Sequence, residues 1–253
     1  LPATVVGGTA AAIAEVTRQR AGRADWVRFS WRVGADLLRP ALPVARKAGL
    51  RVSAAPGAAS MAQLAQLGVG AIDGLGPPVR SWVEYESMAR RNGGTPDVDA
   101  VLDTAWAGLS AAEQRTLVRR LVRARTPVVP MLRIAADRLL AADDEGLAAE
   151  RKLAPARGRA AADRARAVTL DKAARSRAEK ASATRRAFVT ALVRSGGRVG
   201  TASGASAAGW PVPGLGLQRE LALLVEAGLT PAEALRAATT VSAEMLGLKG
   251  VGQ

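Results

Sequence analysis

The chain has no cysteine and no histidine, and its 253 residues include one tyrosine, two phenylalanines and five tryptophans. Without cysteine there are no disulfides, no thiolate metal sites and no cysteine nucleophile. Without histidine the commonest general base and metal ligand is gone, and with it every Ser-His-Asp or Cys-His arrangement. Most hydrolytic mechanisms are thereby closed to these side chains. There is also no apolar run near the ~20 residues that cross a bilayer, so no membrane span is expected. No signal-peptide pattern stands at the front, and the chain starts at Leu1 rather than Met; the expectation is an incomplete N-terminus, with localisation unassigned.

What is present is charge of one sign. Lys and Arg number 36 against 22 Asp and Glu, a net charge of +14. Twelve basic and three acidic residues fall between Arg151 and Arg186, a surplus of nine in one segment. That segment is rich in Ala and has no aromatic residue before Phe188, so it reads as a solvated helical excursion, 135–190, laid over the domain. Single-strand nucleic-acid binders interleave aromatics for base stacking, and their lack here disfavours a nucleic-acid partner. A basic interaction module, binding nucleic acid or an acidic protein, stays as an alternative.

A chain of this length buries roughly three quarters of its unfolded surface, enough for a single domain over residues 1–253. Six stretches read as strands: Ala3 to Gly7, Asp25 to Trp31, Arg51 to Ala55, Gly70 to Leu75, Pro127 to Leu132 and Arg198 to Ala202. Amphipathic helices alternate with them. Ser110 and Glu113 cap one with Leu117, Val118, Leu121 and Val122 on its apolar face, and Trp82, Tyr85 and Ala89 mark another. Thr230 and Glu233 form a capping box around Pro231, and Gly247 ends that helix. Leu235, Ala238, Ser242 and Met245 then make the face that should pack on a sheet. Parallel βα repetition of this kind is the pattern of a TIM barrel or of a doubly wound sheet.

Three local motifs carry little chemistry. Gly204-Ala205-Ser206-Ala207-Ala208 has the outline of a nucleophile elbow, but no histidine can activate Ser206, and a βα loop explains it. Gly7 and Gly8 before a helix could offer amides to a phosphate, yet a tight βα turn needs the same glycines. Gly214 and Gly216 lack the third glycine of a dinucleotide fingerprint.

One stretch carries a resemblance. Gly200-Thr201-Ala202-Ser203-Gly204, then Gln218-Arg219-Glu220-Leu221, then Glu226-Ala227-Gly228-Leu229-Thr230-Pro231, resembles the last strand and following helices of the amidohydrolase superfamily, imidazolonepropionase-like branch. That family shows GTDAG and HRELELLVEAGLTPLEAL. Earlier, Gly49-Leu50-Arg51-Val52-Ser53-Ala54-Ala55-Pro56-Gly57 stands where the family has GLRVAVHAHG, and Leu67 to Leu75 where it has AGVDSIEHG. Pro127-Val128-Val129-Pro130-Met131-Leu132 is similar to its VPVVPTL.

The resemblance implies a TIM-barrel-like (β/α) amidohydrolase fold with about six of eight strands present, the first two lying outside the chain. It implies relatives that hydrolyse amide or other C–N bonds with zinc or another divalent metal, which turns a bound water into hydroxide near neutral pH. The positions that do this in the family are here Arg28 for the Lys, Ala54, Pro56 and Gly74 for His, and Ala202 for the Asp. No resident metal is therefore expected. Ser53, Asp73, Arg133, Thr201, Ser203 and Gln218 remain as substrate-facing candidates at the rim. The reading that follows is a degenerate, non-catalytic or ligand-binding member, with a small-molecule ligand and a homo- or hetero-oligomer completing the barrel as the partners it implies. The alternative is an active hydrolase whose metal ligands or strands come from outside the chain, or one with a metal-free mechanism using Asp73.

Overall fold

The computed structural model describes residues 4, 6–91, 97–139, 145–166, 170–204, 212 and 214–252. Helix α1 (Thr9–Ala21) leads to strand β1 (Trp26–Phe29), α2 (Ala35–Lys47), β2 (Arg51–Ala54), α3 (Met61–Leu67) and β3 (Ala71–Asp73). Helices α4 (Trp82–Arg91), α5 (Val98–Ala107) and α6 (Ala111–Ala124) precede β4 (Val128–Val129). Next come α7 (Leu132–Ala136), continued by a 3-10 turn at Asp137–Leu139, then α8 (Glu145–Leu153), α9 (Ala156–Arg166) and α10 (Lys172–Arg194). The last elements are α11 (Leu215–Glu226), α12 (Pro231–Arg236), a π turn at Ala237–Val241 and α13 (Ser242–Leu246).

The strands form one parallel sheet in chain order, β1-β2-β3-β4. Parallel neighbours cannot be joined by a tight turn, and helices supply each crossover. Beyond β4, a parallel bridge joins Val128 to Val199. The Val128 N–H donates to the Arg198 carbonyl and the Gly200 N–H to the Val128 carbonyl, both at 3.0 Å. The expected sixth strand is thus a single bridge. The fifth is cut short because Met131 takes a left-handed φ of 50° and α7 starts at Leu132. Of the expected first strand, Ala3 to Gly7, Ala3 and Val5 lie outside the described residues, and Thr4, Val6 and Gly7 are not part of a strand.

Side chains alternate across a strand, so the register sorts the sheet into two faces. Val27, Phe29, Val52, Ala54, Ile72, Val128 and Val199 share one, none more than 9% exposed. They join Leu38 and Leu42 of α2, Leu64 of α3, Leu117 and Leu121 of α6, and Phe188 and Leu192 of α10 in one core. Each such side chain contributes about 1.5–3 kcal/mol by leaving water. That burial is what keeps α2 helical although Pro40 and Pro43 each remove a backbone donor from it. The other face carries Trp26, Arg28, Arg51, Ser53, Asp73 and Gly200, and Arg28 and Arg51 are exposed there.

Both helix-start signals form as capping boxes: Ser110 with Glu113, and Thr230 with Glu233. Gly247 closes α13 at a φ of 76°. The face expected on the last helix is displaced. Leu235 is exposed, and Ala234, Ala237 and Ala243 are the buried residues. The π turn holds an extra residue, with the Ser242 hydroxyl donating to the Ala237 carbonyl at 2.7 Å, and so shifts everything after it. Ser242 and Met245 still reach the sheet: a Cβ on Gly200 would lie 2.7 Å from the Met245 sulfur.

The basic segment is helical, but only part of it is a solvated layer. Lys152, Arg157, Lys172, Arg175 and Lys180 are exposed. Ala178, Ala181, Ser182, Arg185 and Phe188 on α10 are buried, and α10 lies along α5. Trp106 of α5 meets Phe188 edge to face, centroids 5.4 Å apart at 63°. The solvated reading fails there because α10 presents Ala181, Arg185, Phe188 and Leu192 at helical spacing to the core.

Candidate functional site

In parallel βα folds, ligands bind beyond the carboxyl ends of the strands. Here that end brings Arg28 of β1 and Asp73 of β3 together across β2. Nε of Arg28 donates to a carboxylate oxygen of Asp73 at 2.8 Å, with the arginine 58% and the aspartate 14% exposed. Ser53 sits between them in register with Arg28, and is buried. Thr201 and Ser203 follow the Val199 bridge at the same end, partly buried, and the Thr201 N–H approaches the Ser242 hydroxyl at 3.4 Å. Gln218, in the first turn of α11, is exposed. Ser206 lies outside the described residues.

Arg133 does not face a ligand. It is 1% exposed, with its guanidinium on Glu150 at 2.5 Å and on Asp137 at 2.6 Å. The reason is the early start of α7, which turns Arg133 inward instead of leaving it at a strand end. Around it lies a buried polar cluster. Glu220 of α11 is fully buried and accepts the Leu132 and Arg133 N–H groups, both at 2.9 Å, so it caps α7 from another helix. Burial pushes its carboxyl up to about 7, against the pull of those two donors. Burial likewise raises Asp137 above the usual carboxylate range, with Arg133 pulling the other way. Glu150 also accepts the Val212 N–H at 2.8 Å.

A second buried group centres on Asp103 of α5. Asp103 takes Arg185 on one oxygen at 3.0 Å and Arg138 on the other at 3.1 Å. Arg185 also lies over the Trp106 ring, 5.7 Å from its centroid. Sequence reading singled out Arg133 but missed its partners Asp137, Glu150 and Glu220, and missed the Asp103 group. The available signal was helical spacing: Gly216, Glu220, Leu223 and Leu224 are the buried positions of α11, so Glu220 falls on its apolar face.

Immediately past β3 and β4 is a cavity of about 170 Å³. Gly74, Leu75, Met131 and Ile134 form mostly apolar walls, and Asp99, Arg138 and Arg185 supply the polar lining, with Arg138 3.3 Å from Asp99. Its shape suits a small, mostly apolar molecule with one acceptor group.

Ala54, Gly74 and Ala202 have no ligating side-chain atom, and the Asp73 carboxylate is engaged by a guanidinium, a permanent cation. Among the described residues no three acidic side chains gather where they could hold an ion. No helix among them is long and apolar enough to cross a membrane.

No protein-family model matches the chain, and no curated protein matches it in sequence. Solved structures match it in fold. Bottromycin amidohydrolase superposes with a TM-score of 0.64 at 19% identity, over 99% of this chain and 53% of that one. A Xaa-Pro dipeptidase with bound methionine gives 0.56 at 14%, over 98% and 50%. Ochratoxinase from A. niger gives 0.58 at 13%, over 99% and 45%. The likeness to these structures is one of fold, and the chain spans about half their length.

Proposed function

We propose that the chain forms a partial amidohydrolase-like barrel that holds a small-molecule ligand and does not hydrolyse it unaided. The observation that carries this reading is the Arg28–Asp73 ion pair, which commits the carboxylate of β3 to a guanidinium instead of a metal. The fold likeness to an amidohydrolase and a dipeptidase supports hydrolysis of amide bonds as the ancestral chemistry. The mostly apolar cavity past β3 and β4 supports retained binding of a small amide-bearing molecule, with Arg138 beside its acceptor group.

Elemental analysis of the purified chain, paired with a panel of N-acyl amino acids and dipeptides, tests this. The expected outcome is well under one zinc, manganese or iron per chain and no turnover above the uncatalysed rate. One or two metals per chain with chelator-sensitive hydrolysis would overturn it.

A second reading is an active hydrolase completed by strands from another chain or segment. It is favoured by one feature: β1 and the Val199 bridge form the two edges of the sheet, with no further sheet partner among the described residues. Chelator-sensitive turnover that appears only in an oligomeric fraction, resolved by light scattering on a sizing column, would select it.

A further inference from the structure

The opposite end of the sheet holds a second cavity, of about 220 Å³, built from the residues that open the strands. Trp26 and Arg51 are the first residues of β1 and β2, and Gly70, Pro127 and Arg198 immediately precede β3, β4 and the Val199 bridge. A Cβ on Gly70 would come 2.8 Å from the Val52 carbonyl oxygen, so that position needs the missing side chain.

Three guanidiniums line this cavity, from Arg46, Arg51 and Arg198. Each is held by main-chain carbonyls. Arg46 donates to Leu67 and Gly68 at 2.9 and 2.7 Å, Arg51 to Met245 at 3.0 Å, and Arg198 to Arg125 at 2.9 Å. Carbonyls fix the direction of a guanidinium without cancelling its charge. The lining includes a single carboxylate, Glu244, which lies 4.0 Å from Arg198 and is itself exposed. Among the described residues neither Arg46 nor Arg51 has a carboxylate within ion-pair distance. The cavity therefore carries a fixed excess of two positive charges, with NH donors to spare in planar forks.

We propose that this amino-terminal cavity is an oxyanion site that takes a phosphoryl group, either inorganic phosphate or the phosphate of a small molecule. Guanidinium forks match phosphoryl oxygens in pairs, and three around one cavity supply the charge that a dianion needs. The indole of Trp26 and the ring of Pro127 form apolar lining on which an attached organic group can rest. This site is separate from the Arg28–Asp73 end of the sheet, and stands or falls independently of the function proposed there.

The test is calorimetric titration of the whole chain at low salt with inorganic phosphate in one arm and glycerol 3-phosphate in the other. The same titrations are run on Arg51→Met, Arg198→Met and, as a control on the exposed outer side of α6, Arg123→Met. The expected result is one-to-one binding of at least one probe, weakened threefold or more in both cavity variants and unchanged in the control. The probe that binds more tightly identifies the source of the phosphoryl group. Arg51 also caps α13, so Arg198→Met keeps the test decisive should Arg51→Met lose its fold. Absence of saturable binding of both probes, or equal weakening in the control and Arg198→Met, would overturn the proposal.

Discussion

Asp103 is a single carboxylate shared by two arginines, and Arg185, the more buried of them, has few other ways to satisfy its charge. Replacing one partner of a buried pair leaves the other uncompensated, at about 3–5 kcal/mol. Asp103→Asn is therefore expected to lower the unfolding free energy by that order, read from denaturant midpoints, whereas an exposed change such as Arg157→Ala should stay within about 0.5 kcal/mol. Glu220 makes a different prediction. Its folded pKa of about 7 lies above the ordinary glutamate value of 4.5, so the folded chain holds the proton more tightly than the unfolded one. Its contribution to stability is then greatest below pH 4.5 and is lost as pH rises through 7, by an amount of order 3 kcal/mol, with the raised Asp137 adding in the same direction. Denaturant midpoints at pH 5, 6, 7 and 8 should decline in the wild type and stay flatter in Glu220→Gln. Equal slopes in the two proteins would assign the decline to other groups.

At the scale of elements, the two parts of the basic segment should respond differently to mutation. Phe188→Ala removes the ring that Trp106 packs against, an expected loss of about 3–5 kcal/mol. Lys152→Ala, on the exposed face of α8, should be close to neutral. A matched pair of melting curves reads the contrast. Composition hid this division, because twelve basic residues in one run outweigh the quieter signal of Ala181, Phe188 and Leu192 at helical spacing. The helix starts were legible for the opposite reason: Ser110 with Glu113 and Thr230 with Glu233 satisfy orphan backbone donors locally, so four residues suffice to define them. Strand lengths were not legible. Whether Pro127 to Leu132 continues as a strand or turns at Met131 depends on Glu220, which caps α7 from 88 residues along the chain. No window around β4 contains that information.

For the whole molecule, parallel strands joined by helices could be expected from alternating βα signals, whereas their consecutive order could not, since a doubly wound sheet gives the same signals. The candidate site was legible only where the sheet register decides it. Arg28, Ser53 and Asp73 converge because β1, β2 and β3 are neighbours, whereas Arg133 was displaced by a local change of element. The two ends of the sheet also differ in kind. One holds a neutralised pair beside an apolar cavity, and the other holds three guanidiniums fixed by carbonyls. Salt should therefore separate them: ligand binding at the carboxyl end should change little with ionic strength, while phosphate binding at the amino end should weaken steeply.

The π turn at Ala237–Val241 has a consequence for how this chain tolerates length changes. Each α-helical residue advances the phase by about 100°. Losing one codon within that turn would not shorten a loop. It would close the coil to ordinary pitch and leave Ser242 and Met245 facing Gly200, with the carbonyls that hold Arg51 in place, because the residue lost is the extra one that the wide turn holds. A deletion in the ordinary turns on either side would rotate everything after it, whereas this turn absorbs the loss.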